Sequence, residues 1–130
     1  MKRKALILGG SSTIALNIQK LLLKKNLSLH VHYNDNKPEI FENKKNKINY
    51  IKANFKNYTT SKILSKFEND YDIIINLVGY IKNETFDNLS VRNFQDSILI
   101  NSLIPFLIIK KSLSHMKKNK WGRIVNTSSI

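Results

Sequence analysis

The chain has no cysteine among its 130 residues, which excludes disulfide bonds and thiolate metal sites. It also lacks a long hydrophobic run. The longest, residues 98–109, is interrupted by Asn101, Ser102 and Pro105 and falls short of the roughly 20 residues that a membrane span needs. The apolar run after the basic start, residues 5–8, is too short for the core of a signal peptide. These absences predict a cytoplasmic protein with no membrane segment and no metal centre.

Acidic residues are scarce as well, since 9 Asp and Glu stand against 22 Lys and Arg and leave a net charge of +13. Such a balance is compatible with nucleic-acid binding. However, the lysines are scattered, and arginine, the better reader of bases, occurs only at Arg3, Arg92 and Arg123. We therefore interpret the charge as a solvated basic exterior that suits an anionic cofactor or substrate. A nucleic-acid-binding protein remains the less favoured alternative.

The stretch from Lys4 to Asn17 carries the clearest local pattern. Residues 5–8 form a short apolar run typical of a buried strand, and the cluster at 9–12 (Gly-Gly-Ser-Ser) predicts a sharp turn. A helix is predicted next, because its apolar residues are spaced so that they share one face: Ile14, Ile18, Leu21 and Leu22. A strand, a glycine turn and a helix direct backbone N–H groups at a phosphate, most often a dinucleotide pyrophosphate. Of the three glycines in the usual dinucleotide-binding fingerprint, only the first is clearly matched here, by Gly9. A plain strand-to-helix connection therefore remains an alternative.

Further strands are predicted at residues 27–33, 48–53, 72–77 and 123–126, and they alternate with helices. The helices are a short one opening at 38–41, one at 61–67, and a long one that begins at Ser90 and is kinked by Pro105. This alternation predicts right-handed βαβ units and a parallel sheet in a single domain. In such sheets the ligand lies beyond the carboxyl ends of the strands.

The five strand ends, in this order, resemble those of the short-chain dehydrogenase/reductase family. Ala5-Leu-Ile-Leu-Gly-Gly-Ser-Ser-Thr-Ile-Ala15 resembles its Thr-Gly-x-x-x-Gly-x-Gly turn, and Asp72-Ile-Ile-Ile-Asn-Leu-Val-Gly79 is similar to its Asp-Ile-Leu-Val-Asn-Asn-Ala-Gly. Similar segments lie at 54–55, 100–106 and 115–130, so the resemblance covers nearly the whole chain and is nearest to 3-oxoacyl-acyl-carrier-protein reductases. It implies an α/β, three-layer Rossmann fold with parallel strand order 3-2-1-4-5, truncated after the fifth strand.

The resemblance also implies an oxidoreductase that transfers hydride between NAD(P)H and a small carbonyl or alcohol substrate. By position, Asn101 matches the family's catalytic asparagine, which kinks its helix and holds a water, and Ser129 matches its catalytic serine. From residue type alone, a structural amide and a turn hydroxyl remain the alternatives. The expected cofactor-binding residues are Gly9, Ser11, Ser12, Thr13, Ile14, Asn34, Asn54, Phe55, Asn76, Val78, Gly79 and Thr127.

The family's Tyr-x-x-x-Lys pair is expected shortly after Ser129, but the sequence stops at Ile130. We therefore expect residues 1–130 to be an incomplete NAD(P)-binding domain, inactive by the family mechanism. A nucleotide-binding module without catalysis is the alternative. The family's long helix pairs with a second copy, and the apolar face along 94–113 predicts a homo-oligomer for the full-length protein.

Departures from the family pattern bear on the cofactor. Thr13 replaces the second glycine of the turn, which predicts weaker binding. Tyr33 and Asn34 supply no acidic side chain at the end of the second strand, so we expect NADP, with NAD as the alternative. His30 and His32 point to one face of that strand, and without cysteine or a carboxylate cluster we interpret them as packing histidines.

Overall fold

The computed structural model describes residues 2–38, 48–57 and 59–128, which contain five strands and four α-helices. The strands are β1 (Arg3–Leu8), β2 (Leu27–Tyr33), β3 (Ile48–Lys52), β4 (Ile73–Asn76) and β5 (Arg123–Asn126). The helices are α1 (Thr13–Leu23), α2 (Thr60–Leu64), α3 (Val91–Ile98) and α4 (Ile104–Lys118), with a π-helical turn at Leu99–Leu103 and a 3₁₀ turn at Phe86–Asn88. Most of the helix predicted at 38–41 lies outside the described residues.

The five strands form one parallel sheet in the order β3-β2-β1-β4-β5, which confirms the fold class and strand order expected from the sequence. The central strand β1 pairs with β2 on one side and with β4 on the other, so that Ile7 lies between Val31 and Ile75. The carboxyl ends of all five strands therefore meet at one edge of the sheet.

Residues 5–8 of β1 are buried on both faces of the sheet, which is why they form an unbroken apolar run. Leu6 and Leu8 pack into a core shared with α2 and α4, whereas Ala5 and Ile7 pack into a second core shared with α1. The sheet is thus the middle of three layers, and its central strand ends directly at the glycine turn.

The long helical stretch begins as predicted at Ser90, whose Oγ accepts a hydrogen bond from the N–H of Asn93 at 3.0 Å. At the position of the expected proline kink, the structure has the π-helical turn, and Pro105 follows in the first turn of α4. Proline has no N–H, so the α-helical hydrogen bond to the carbonyl oxygen of Asn101, four residues earlier, is not made. The π-helical turn therefore absorbs the interruption within a continuous helical stretch.

By length and composition alone, the stretch Val91–Lys118 is apolar enough to cross a membrane. The core helix of a soluble protein passes the same test, so this is weak evidence. Ile104, Ile108 and Met116 are buried against the sheet, which accounts for much of the apolar character of α4.

Lys111 on α4 joins that helix to the end of α2. Its ammonium group donates to the carbonyl oxygen of Leu64 at 2.8 Å and also to that of Phe67. We expect Lys111→Met to lower the free energy of unfolding by about 1–3 kcal/mol, because two part-buried carbonyls lose a charged donor while the aliphatic packing is kept. Urea denaturation measures this loss. Lys110→Met on the exposed face of the same helix is the matched control, and an equal loss in both variants would contradict the assignment.

Candidate functional site

A cleft of about 460 Å³ opens at the carboxyl edge of the sheet, between the ends of β1, β2, β3 and β4. Eight of the residues predicted to bind a cofactor line it: Gly9, Ser11, Ser12, Asn34, Asn54, Phe55, Val78 and Gly79. Thr13 and Ile14 lie beside it in the first turn of α1, where both are exposed. The structure therefore brings most of the predicted set together at one place.

Two glycines shape the turn between β1 and α1. Gly9 has φ of +79°, and a Cβ on it would lie 3.0 Å from the backbone carbon and oxygen of Leu77. A Cβ on Gly10 would lie 2.1 Å from Cγ1 of Val31. Gly9 is thus required by conformation and by close approach to β4, and Gly10 by close packing against β2.

The start of α1 lies beside the cleft, and two N–H groups of its first turn have no partner among the described residues. Ser12 is the N-cap residue, and its Oγ accepts from the N–H of Ala15 at 3.2 Å. The N–H groups of Thr13 and Ile14 precede the first intrahelical hydrogen bond, from Leu16 to Ser12, and a helix start carries a partial positive charge. No acidic residue occupies this turn, all of which is described, so its charge is left for an anion.

His32, at the end of β2, lines the floor of the cleft and was not among the predicted site residues. Its Nδ1 accepts from the N–H of Gly9 at 3.2 Å, so the ring proton is on Nε2, which donates to the carbonyl oxygen of Ala53 at 2.8 Å. The ring stacks on Phe55, with centroids 4.4 Å apart and planes at 9°. Burial lowers the pKa of His32 to about 4, against the opposing effect of the hydrogen bond to Ala53.

A cation also reaches the cleft. The Nζ atom of Lys56 lies 3.8 Å above the ring of Tyr80 and 3.9 Å from Oδ2 of Asp96 on α3. The main chain at Lys56 is held by Asn54, whose Oδ1 accepts a hydrogen bond from the N–H of Lys56 at 2.9 Å. Lys56 and Tyr80 come from loops after β3 and β4, so no single stretch of sequence showed their contact.

Asn76 and Thr127, predicted to contact a cofactor, lie outside the cleft lining, and their hydrogen bonds join strand ends. Oδ1 of Asn76 accepts from the N–H of Val78 at 3.2 Å, and its Nδ2 donates to Oδ1 of Asn126 at 3.3 Å. Thr127 donates from its N–H and its hydroxyl to the carbonyl oxygen of Asn76. Their contacts hold the loop after β4 and the end of β5 in place.

Asn101, the predicted catalytic asparagine, lies in the π-helical turn and uses its amide structurally. Its Oδ1 accepts from the N–H of Tyr80 at 2.7 Å, while its Nδ2 donates to the Tyr80 carbonyl oxygen at 2.8 Å and to Oγ of Ser97 at 3.1 Å. The amide thereby ties the loop after β4 to the long helix. Ser129, the predicted catalytic serine, lies outside the described residues.

The family follows from comparison of the whole chain. A family model for short chain dehydrogenases matches residues 3–130, and this chain belongs to that family. Over 59 residues it is 36% identical to the 3-oxoacyl-[acyl-carrier-protein] reductase of Aquifex aeolicus, a match that covers 45% of this chain and 24% of that protein. The resemblance expected from the sequence is confirmed.

Solved structures show the same fold. The short chain dehydrogenase of Leptospira borgpetersenii with bound NAD⁺ superposes with a TM-score of 0.78 at 23% identity, over 99% of this chain and 52% of that one. YwfH, an NADPH-dependent reductase involved in bacilysin biosynthesis, superposes with a TM-score of 0.71 at 23% identity, over 97% of this chain and 58% of that one. The chain thus spans little more than half the length of these solved relatives.

Proposed function

We propose that this chain forms the dinucleotide-binding part of a cytoplasmic NAD(P)-dependent oxidoreductase that acts on a small carbonyl or alcohol substrate. The observation that carries the proposal is the glycine turn of Gly9 and Gly10, which opens into the cleft just before the free N–H groups of Thr13 and Ile14 in the described residues. The cleft volume lies in the range typical of cofactor sites. The relatives named for NAD⁺ and NADPH support a nicotinamide dinucleotide as the ligand.

The residues present fit such a ligand in three places along the cleft. The pyrophosphate is assigned to the glycine turn and the first turn of α1, the adenosine to the ends of β2 and β3, and the nicotinamide side to the loop after β4. The assigned residues are Gly9, Ser11, Ser12, Thr13, Ile14, Asn34, Asn54, Phe55, Val78 and Gly79. When bound, the nicotinamide supplies the hydride, while this chain's residues bind and orient it.

Asn101 and Ser129 are assigned the roles of the family's asparagine and serine. The side-chain amide of Asn101 is occupied by Tyr80, so we assign the binding of a water to its main-chain carbonyl oxygen. Pro105 has no N–H and therefore cannot donate the α-helical hydrogen bond to that oxygen. We further propose that turnover needs a catalytic tyrosine and lysine from outside residues 1–130. The 130-residue chain then binds the dinucleotide without turnover.

Self-association is the second part of the proposal. Phe94, Ile98 and Phe106 of the long helical stretch are 55%, 49% and 57% exposed. Covering such side chains removes apolar surface from water, which favours a second copy of the same helix as the partner.

A preference for NADP is the finer proposal. It rests on the non-acidic Tyr33 and Asn34 at the end of β2 and on the Lys56 cation in the cleft. Lys37, three residues after Asn34, is a further cation, and its Nζ lies 4.5 Å above the ring of Tyr50, as that of Lys56 lies above the ring of Tyr80. Asp35 lines the cleft, and its Oδ2 accepts a hydrogen bond from Nδ2 of Asn34 at 3.0 Å. Because this carboxylate is negatively charged, it repels a 2′-phosphate bound nearby.

Calorimetric titration of the 130-residue chain with NADPH and with NADH tests the function. We expect saturable binding of both, tighter for NADPH, and we expect Asp35→Asn to tighten NADPH about fivefold by removing a like charge, with little effect on NADH. Asp87→Asn, exposed in the 3₁₀ turn and outside the cleft lining, is the control for net charge. A folded chain that binds neither dinucleotide would contradict the proposed function, and equal NADPH and NADH affinities would contradict the NADP preference alone.

A further inference from the structure

We propose that His32 is a positioning residue of the cofactor site, which sets the glycine turn in its binding conformation before the dinucleotide arrives. This inference rests on the proposed function, because the turn is assigned to the pyrophosphate. A glycine turn is intrinsically flexible. Restraining it in advance reduces the entropy lost on binding.

His32 holds two consecutive N–H groups of the turn. Its ring Nδ1 accepts from Gly9 at 3.2 Å, and its own carbonyl oxygen accepts from Gly10 at 2.7 Å. The carbonyl contact is available to any residue at this position, but the contact to Gly9 needs a side-chain acceptor at the distance of Nδ1. The identity of residue 32 therefore decides whether Gly9 is held.

The ring that holds Gly9 is itself fixed from the opposite side. Nε2 donates to the carbonyl oxygen of Ala53, Phe55 stacks on the ring, and the residue is only 3% exposed. His32 thus connects the glycine turn at the end of β1 to the residues after β3. In the proposed function these are the pyrophosphate end and the adenosine end of one ligand.

Two substitutions separate the two ring nitrogens. In His32→Asn, the side-chain Oδ1 lies where Nδ1 was and can accept from Gly9, but no group reaches Ala53. In His32→Gln, the side-chain amide can reach Ala53 as Nε2 did, but no acceptor is left at Gly9. Both variants lose the ring that stacks on Phe55, so each is the matched control for the other in packing.

We expect His32→Asn to keep NADPH affinity within about threefold of the wild-type chain and His32→Gln to weaken it by about tenfold, measured by calorimetry. The exchange rate of the Gly9 amide proton, followed by NMR without ligand, should rise in His32→Gln and stay close to wild type in His32→Asn. A histidine that only packs would give equal changes in the two variants, and that result overturns the inference.

The wild-type chain alone provides a test that does not depend on variants folding. Nitrogen-15 NMR of the imidazole should show the proton on Nε2 and an unprotonated Nδ1, together with slow exchange at the Gly9 amide. A proton on Nδ1 overturns the inference. If the wild-type chain binds neither NADPH nor NADH, the proposed function fails and the role of His32 toward a cofactor fails with it. If the wild-type chain binds and His32→Gln binds equally well, only the inference about His32 fails.

Discussion

Replacing Gly9 by alanine is expected to lower the free energy of unfolding by about 3 kcal/mol and to remove dinucleotide binding. The backbone at Gly9 has φ of +79°, and a left-handed conformation costs a residue with a Cβ roughly 1–2 kcal/mol. The new Cβ would also lie 3.0 Å from the Leu77 backbone, which cannot rotate away as a side chain could, and such overpacking costs roughly 1–3 kcal/mol. Relief of either strain would shift the turn that lines the cleft.

Gly79→Ala is the matched control at the same edge of the sheet. Among the described residues, no atom lies within 4 Å of the Cβ that it would add. We expect its free energy of unfolding to stay within about 0.5 kcal/mol of the wild-type value. Urea denaturation of both variants makes the comparison, and similar losses in the two would show that the strain at Gly9 is not as described.

Acidification is the second change with a large expected effect. Because burial lowers the pKa of His32 to about 4, this side chain is protonated in the unfolded chain but not in the folded chain between about pH 6.5 and pH 4. The stability that neutral His32 provides is complete above pH 6.5 and is lost as the pH falls towards 4. Its size is about 3 kcal/mol. Burial also lowers the pKa of His30, which bonds to the hydroxyl of Tyr71, and this adds a loss in the same direction.

The contribution of His32 is isolated by measuring unfolding free energies between pH 7.5 and 4 for the wild-type chain and for His32→Asn. The asparagine does not titrate, so the variant is expected to lose less stability than the wild-type chain across this interval. The difference between the two curves is the contribution of His32. Parallel curves would mean that His32 takes up its proton equally easily in the folded and unfolded chains.

The sequence was sufficient to predict the parallel sheet, its strand order and the cleft at its carboxyl edge. The parallel sheet and the cleft at its carboxyl edge depend on apolar runs, turn residues and right-handed connections, which are local patterns or general rules. The strand order was implied by the resemblance to the family. Gly9 was identifiable for the same reason, since a turn after a buried strand requires it. The eight predicted residues that line the cleft were predicted from the family resemblance and from their places after strand ends.

The side-chain contacts within the site could not be predicted in the same way. The sequence favoured a packing role for His32, and the structure confirms its burial, but its hydrogen bond to Gly9 joins residues 23 positions apart. The contact of Lys56 with Tyr80 likewise depends on where two loops meet. The hydrogen bond of Asn76 to Asn126 also depends on the pairing of β4 with β5, which no local pattern shows. A cofactor contact of Asn76 stays a prediction.

The central claim, that the glycine turn and the cleft bind a nicotinamide dinucleotide, is tested most directly by a backbone NMR titration of the 130-residue chain with NADPH. We expect saturable changes in amide chemical shift at residues 9–14 and at the strand ends 34, 54–55 and 78–79. Little change is expected at the basic residues Lys117 and Lys120, near the C-terminal end of α4. Shifts confined to such basic surfaces, or no shifts from a folded chain, would contradict the assignment.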